Sequence, residues 1–265
     1  MARGNFDAGA EVKQGGGAVF INPEVGDHDA LLTGIVHIGS FQDVFMKGKV
    51  EDPKPPCNYV LLQCTLMGEN DKNEDGSRMV QWKSMALKSG DKAEMTALLD
   101  ALDPKELTEG FDDLIMKPFS AKMAGGKELN EDGTPKYVNW AGKGFAGMSA
   151  RVVPMVLADA EAEGIKPLGH IKFADLTKEV LDEIPAHMFR QYFLSEQKGN
   201  NLSYAGSHVE AIVKAAREAD PEWKVAKAKD EAKPEQKRGL DEGSQQQVPE
   251  PQNVPAPEMS SDQEY

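Results

Sequence analysis

The chain has 265 residues, of which 40% are hydrophobic and 28% charged, as expected for one main globular domain with polar appendages. It lacks a run of about 18 apolar residues, and its first residues are Gly-rich and polar, so we expect neither a membrane span nor a secretory leader. Two cysteines are too few for a disulfide framework, which indicates a reducing cytoplasm.

Two segments early in the chain alternate between apolar and other residues, which predicts strands with one buried face. The first places Leu32, Val36 and Ile38 on one face and His37 on the other. The second covers 58–68 and has Tyr59 facing away from its apolar side. That apolar side consists of Val60, Leu62, Cys64 and Leu66. We expect Cys64 to be a small buried hydrophobic residue.

A third strand is predicted over 79–87, although its pattern does not show which face is buried. The polar turn at 70–78 predicts that it forms a hairpin with the second strand. Apolar residues at helical spacing then predict a helix over 92–102, with Asp91 as its N-cap and Pro104 at its end.

The next part of the chain predicts two more strands, 118–123 and 137–140, joined by a polar turn at 125–135. The segment 148–157 is rich in β-forming residues and is expected to be an edge strand, or to bend at Pro154. Three strands, a helix and two further strands is the order of an OB-fold, a small and partly open barrel. The fold class we expect is mainly β with added helices, built on a five-stranded OB-fold-like barrel.

Short helices are predicted over 176–184 and 185–195. Ser207 and Glu210 form the pattern of a capping box before an amphipathic helix that stops at Pro221. From residue 224 the composition predicts disorder. The expected organisation is a flexible arm (1–28), an OB-fold-like DNA-binding domain (29–157), a helical appendage packed on the barrel (158–223) and a disordered tail (224–265).

The net charge of -14 argues against nucleic acid as a partner, but the distribution of charge matters more than the total. The segment 29–157 contains 15 Lys and Arg against 19 Asp and Glu, which leaves room for a basic groove. In the tail, six basic residues between Lys224 and Arg238 precede a stretch whose only charges are acidic and which ends at Tyr265. A solvated tether is one interpretation of this tail, and an aromatic-ended recognition element is the other.

Catalysis has little support in the sequence. The five histidines are scattered, and the chain has no metal-binding pair of cysteines, no His-Glu-x-x-His and no nucleophile elbow. The Gly-Lys segments at 124–127 and 141–144 lack the remaining residues of a phosphate loop, so they are expected to be turns. We predict no enzymatic activity, no metal and no cofactor.

Single-strand binding needs aromatic rings for stacking on bases and cations along a groove for phosphates. The chain interleaves both kinds of residue in its β-rich part. The candidates are Tyr59, Trp82, Lys83, Phe41, Phe45, Lys47, Lys49, Lys88, Trp140, Lys143 and Arg151. The competing interpretation is that rings such as Trp82, Phe45 and Trp140 belong to the core.

Several of these segments together resemble a known family, over roughly residues 29–157. They are Ala30 to Gly39, the polar hairpin before Met79 to Leu87, the helix that follows, and Met148 to Val153. The pattern is similar to the phage OB-fold single-stranded-DNA-binding proteins. The overall layout is similar to that of the single-stranded-DNA-binding proteins of podophages that package a virion RNA polymerase.

The resemblance implies a protein of the host cytoplasm that acts in phage DNA replication and recombination. It also implies that the tail, through Asp262, Glu264 and Tyr265, contacts replication or recombination proteins or activates transcription by contacting host RNA polymerase. The tail ends in Tyr rather than the Phe of relatives. The alternative is a phage structural or assembly protein whose β-domain binds protein.

Overall fold

The computed structural model describes residues 22–42, 44–47, 50–194 and 201–225, of which 44–47 and 50–52 are described by their backbone. These residues fall in one compact unit. The strands are β1 (Gly26–Phe41), β2 (Val44–Lys47), β3 (Val50–Pro53), β4 (Cys57–Leu66), β5 (Val80–Ala86), β6 (Pro118–Gly125), β7 (Val138–Ala146) and β8 (Gly169–Ile171). The helices are α1 (Glu94–Leu102), α2 (Val153–Ala162), α3 (Lys178–Glu183), α4 (Ala186–Phe193) and α5 (His208–Ala219), with 3-10 helices at Phe111–Leu114 and Phe173–Asp175.

The main sheet is antiparallel, with the order β5-β4-β1-β6-β7, and it curls into a half-barrel consistent with an OB-like fold. This confirms the predicted fold class. The central strand β1 is 16 residues long and pairs with β6 along its first part and with β4 along the rest. The short β8 pairs with β1 in parallel, and β2 and β3 form a separate hairpin. Within the described residues, no helix is long and apolar enough to cross a membrane.

The face alternation predicted for β1 is correct for Val36 and Ile38, which share one core, and wrong for Leu32, because the strand contains two register shifts. One lies between Leu32 and Gly34 and the other between His37 and Gly39. Each extra residue turns the following side chains to the opposite face of the sheet. Leu32 therefore packs inside the barrel, whereas Val36 packs outside it.

Strand β4 is buried on both faces, although its alternation was predicted correctly. Val60, Leu62, Cys64 and Leu66 all lie in the barrel core, beneath α1. Burial raises the pKa of the Cys64 thiol well above its usual range, which fits the expected role as a small hydrophobic residue. Tyr59 and Leu61, on the opposite face, belong to a second core that helices α3 to α5 cover.

Hydrogen bonds of Asn201 connect the end of strand β1 to helix α4. Asn201, which is buried, donates from Nδ2 to the carbonyls of Ile38 at 2.8 Å and Tyr192 at 3.2 Å. Gly39 has a φ of +107°, and a Cβ there would lie 2.6 Å from Asn201 Oδ1. Only glycine combines this backbone conformation with so close an approach.

The helix assignments were predicted well, with two exceptions. The segment expected to be an edge strand at 148–157 contains the start of α2, with Pro154 in its first turn, where a proline costs no intrahelical hydrogen bond. Helix α1 begins after Ala93 and has no side-chain cap, so Asp91 is not the N-cap. Ser207 does cap α5, since its side chain accepts from the amide of Glu210.

A buried polar contact joins the start of β1 to the turn after β4. His28 Nδ1 lies 2.8 Å from Asp71 Oδ1, and Nε2 lies 2.8 Å from the carbonyl oxygen of Glu24. Each nitrogen of the His28 ring therefore faces an oxygen atom. The Asp71 carboxylate also accepts from the amide of Gly68 at 2.9 Å.

We expect Asp71→Ala to lower the free energy of unfolding by about 1–3 kcal/mol for each of two groups, because it leaves a buried nitrogen of the His28 ring and the amide of Gly68 without their partner. Urea unfolding followed by circular dichroism measures this change. Glu69→Ala, two residues away on the exposed side of the turn, is the control and should change stability by less than about 0.5 kcal/mol. Equal effects of the two variants would contradict this assignment.

A second polar chain fastens β8 to β1. His37 Nε2 lies 3.0 Å from His170 Nε2, and His170 Nδ1 lies 3.1 Å from Asp112 Oδ2. Only one proton fits between the two facing nitrogens, so the contact does not tolerate protonation of both rings. Burial, together with the positive charges of His170 and Lys172, holds the pKa of His37 below its ordinary value.

This shift predicts that stability falls on acidification. The unfolded chain binds the His37 proton near the ordinary pKa of 6.5, whereas the folded chain binds it only at lower pH. The free energy of unfolding should therefore decrease as pH falls below that value, by at most about 1.4 kcal/mol per pH unit for this one proton. Urea unfolding of wild type and His37→Gln across this range tests the prediction.

In that experiment, the Gln variant should show a shallower pH dependence than the wild type. His208→Gln, at an exposed position on α5, is the control and should keep the wild-type dependence. Parallel curves for wild type and His37→Gln would rule out the proposed proton linkage.

Candidate nucleic-acid interface

The half-barrel is open between its two end strands, β5 and β7, which in the described sheet have no other strand neighbours than β4 and β6. One side chain bridges this opening: the indole Nε1 of Trp140 on β7 donates to the backbone carbonyl of Trp82 on β5 at 3.2 Å. Both rings are half-buried. The Trp140 ring therefore lies at the opening, whereas the Trp82 ring, contrary to expectation, packs on the other face of β5 against the core that helices α3 to α5 cover.

Lys83 lies at the centre of this opening. Its side chain is only 10% exposed, and Nζ lies 3.2 Å from Glu94 Oε1 at the start of α1. The ammonium also lies 5.8 Å from the ring centroids of Trp140 and Phe145, within the range of cation–π attraction. The sequence could not predict which face of β5 carries this lysine; its register opposite Leu62 assigns it to the barrel side.

Two further predicted lysines surround the start of α1. A cavity of about 340 Å³ lies there and is lined by Ala86, Lys88, Ser89, Ala93 and Glu94. Lys88 is exposed and forms no ion pair with any described residue. Lys143, also exposed, donates from Nζ to the backbone carbonyl of Asp91 at 3.1 Å. The opening therefore combines the indole ring of Trp140 with the ammonium groups of Lys83, Lys88 and Lys143.

The position of the Trp140 ring depends on a residue that sequence reasoning did not select. Gly144 has a φ of +77°, and a Cβ there would lie 2.6 Å from Cε3 of Trp140. The segment around it was predicted to be a flexible turn, but it belongs to β7. Phe145, also not selected, packs against Trp140 with ring centroids 5.5 Å apart. Two glycines two residues apart, directly after a predicted strand, were the available signal.

Tyr59 and Phe41 do not contribute exposed rings, contrary to expectation. Tyr59 is 7% exposed and Phe41 1%. Their rings meet edge to face at 5.2 Å, and Phe41 makes a similar contact with Tyr192 of α4 at 5.7 Å. The alternation along β4 points Tyr59 away from the barrel core, and its side chain therefore packs in the second core beneath the helices. Neither ring can stack on a base in this arrangement.

The other predicted residues are not brought to the opening by the described contacts. Arg151 is exposed in the turn before α2. Phe45 and Lys47 belong to β2, where the backbone alone is described. Lys49 lies outside the described residues, as do the tail residues Asp262, Glu264 and Tyr265.

Neither a protein-family model nor a curated protein sequence matches this chain. The described residues contain no group of three or more His, Cys, Asp or Glu side chains that could hold a metal ion. The groups that the opening presents are the rings of Trp140 and Phe145, three lysines and the Glu94 carboxylate.

We expect Gly144→Ala to displace the Trp140 ring and to lower the free energy of unfolding by roughly 1–3 kcal/mol, through backbone strain and steric contact. Gly142→Ala is a matched control, because Gly142 also has a positive φ, +53°, while a Cβ there would meet no atom within 4 Å. The indole N–H resonance of Trp140 in an NMR spectrum should shift in the first variant alone. If both variants shift this resonance equally, the close packing on Gly144 is not what positions the ring.

Proposed function

We propose that this chain binds single-stranded DNA without sequence preference, through the opening between β5 and β7. The observation that carries the proposal is the meeting of Trp140, Lys83, Lys88 and Lys143 at that opening. Aromatic rings accept any base, and ammonium groups bind the phosphates that every nucleotide carries. Such a site gives affinity without base readout.

The biological role that we propose follows from the resemblance of residues 29–157 to phage single-stranded-DNA-binding proteins. In this role the protein coats exposed strands in the host cytoplasm during phage replication and recombination. The tail would recruit replication or recombination proteins, or host RNA polymerase. No catalytic step, metal or cofactor is needed for this activity.

Titration of labelled oligo-dT with the full-length protein, followed by fluorescence anisotropy at several salt concentrations, tests the proposal. The wild type should bind, with an affinity that falls linearly with salt on logarithmic axes. Lys88→Ala combined with Lys143→Ala should weaken binding and make the slope shallower by about 1.4, which is about 0.7 for each lost phosphate contact.

The matched control removes two exposed lysines elsewhere, Lys166→Ala with Lys214→Ala, and should leave the slope unchanged. Absence of binding by the wild type at low salt would overturn the proposal. Equal losses in the two double variants would move the binding site away from the β5/β7 opening.

A protein-binding function, as in a phage structural or assembly protein, is the second candidate. It is favoured by the exposed apolar side chains on α2, where Met155 is 65% and Leu157 39% exposed. An apolar protein contact depends little on salt, so the same salt series separates the two functions. Wild-type protein that fails to bind oligo-dT would favour this second candidate.

A further inference from the structure

We propose that Glu94 restrains nucleic-acid binding by occupying the position on Lys83 that a phosphate must take. This inference rests on the proposed function and concerns the regulation of the same site. Glu94 is thus a positioning residue that competes with the ligand for one ammonium group.

The geometry gives the Lys83 ammonium a single charged partner. Glu94 Oε1 lies 3.2 Å from Nζ, and no other carboxylate forms an ion pair with Lys83 in the described part of the chain. The remaining surroundings are the rings of Trp140 and Phe145. An incoming anion therefore reaches this ammonium at the side where Glu94 now lies.

The carboxylate can leave more easily than the lysine can. Glu94 is 39% exposed and Lys83 10%, so moving the glutamate keeps its charge hydrated, while the lysine stays fixed among aromatic rings. Glu94 also lines the cavity beside Lys88. Rotation of the Glu94 side chain would free the Lys83 ammonium for a phosphate, which would then lie beside the Trp140 ring.

The cost of this displacement is small. Ion pairs with one exposed partner contribute little, because water replaces the lost contact. The competition should therefore weaken binding by up to about fivefold. A carboxylate at this position lowers affinity without preventing binding, and it leaves the site selective for ligands with more than one anionic group.

The test compares full-length Glu94→Gln with wild type in the oligo-dT titration. The variant should bind up to about fivefold more tightly, and its salt slope should be steeper by about 0.7, the contribution of one additional phosphate contact. Asp91→Asn is the matched control: it removes one negative charge near the same cavity, from an exposed side chain that does not contact Lys83. It should leave the slope unchanged.

A double-mutant cycle with Lys83→Met establishes the route of the effect. Methionine has a similar length and no charge, so Glu94→Gln should change affinity in the wild-type background and not in the Lys83→Met background. If Glu94→Gln and Asp91→Asn have equal effects, or if the effect persists without Lys83, the inference is overturned. Absence of oligo-dT binding by wild type would instead refute the proposed function, so the two failures are distinguishable.

Discussion

The burial of β1 and β4 on both faces is the constraint on which the rest of the structure depends. One face of these strands lines the barrel, and the other is covered by helices α2 to α5. Strands buried in this way need apolar residues at nearly every position, as the run from Tyr59 to Leu62 has. The outer face of the sheet centre is therefore closed to ligands, and the opening between the end strands is left as the accessible part of the barrel wall.

The same double burial explains the irregularities of β1. In an ideal strand, alternate residues face the same core. In β1, however, Leu32 and Ile35 pack in the barrel core, whereas Val36 and Ile38 pack in the core beneath the helices. The register shift after Leu32 makes this possible. Thr33, at the shift, is buried, and its hydroxyl lies 3.1 Å from both Thr65 Oγ1 and Gln63 Oε1, so this buried hydroxyl is hydrogen-bonded.

The sequence predicted the local elements better than it predicted their surroundings. The alternation of β4, the apolar spacing of α1 and the Ser207 cap depend on neighbours a few residues away, and all three are found in the structure. The burial of Tyr59 depends on helices more than a hundred residues later in the chain, so alternation alone could not indicate it. The continuous apolar run around Tyr59 was the available signal of a strand with two buried faces.

For the opening, the sequence indicated which kinds of residue are present, aromatic rings and lysines, but not how they are arranged in space. Trp82 and Lys83 are adjacent in sequence and therefore point to opposite faces of β5. Lys83 faces the opening, whereas the Trp82 ring packs against the core beneath the helices. Trp140 on β7 donates to the backbone carbonyl of Trp82 while its ring lies near the Lys83 ammonium. Contacts to backbone groups leave no pattern in side-chain identity, so this juxtaposition required the fold.

The balance of charge at the opening indicates how such a site would work in an acidic protein. Lys83 is paired with Glu94, and Lys143 is bound to the Asp91 carbonyl. Of the three lysines, Lys88 alone has no ion pair or side-chain hydrogen bond with a described residue. Three phosphate contacts would give a salt slope of only about −2. Stacking on Trp140 would then have to supply much of the affinity, at roughly 1–3 kcal/mol per base. The protein has a net charge of -14, which repels DNA, so a site of this kind must hold DNA by short-range contacts. Added salt weakens such contacts much less than it weakens the long-range repulsion.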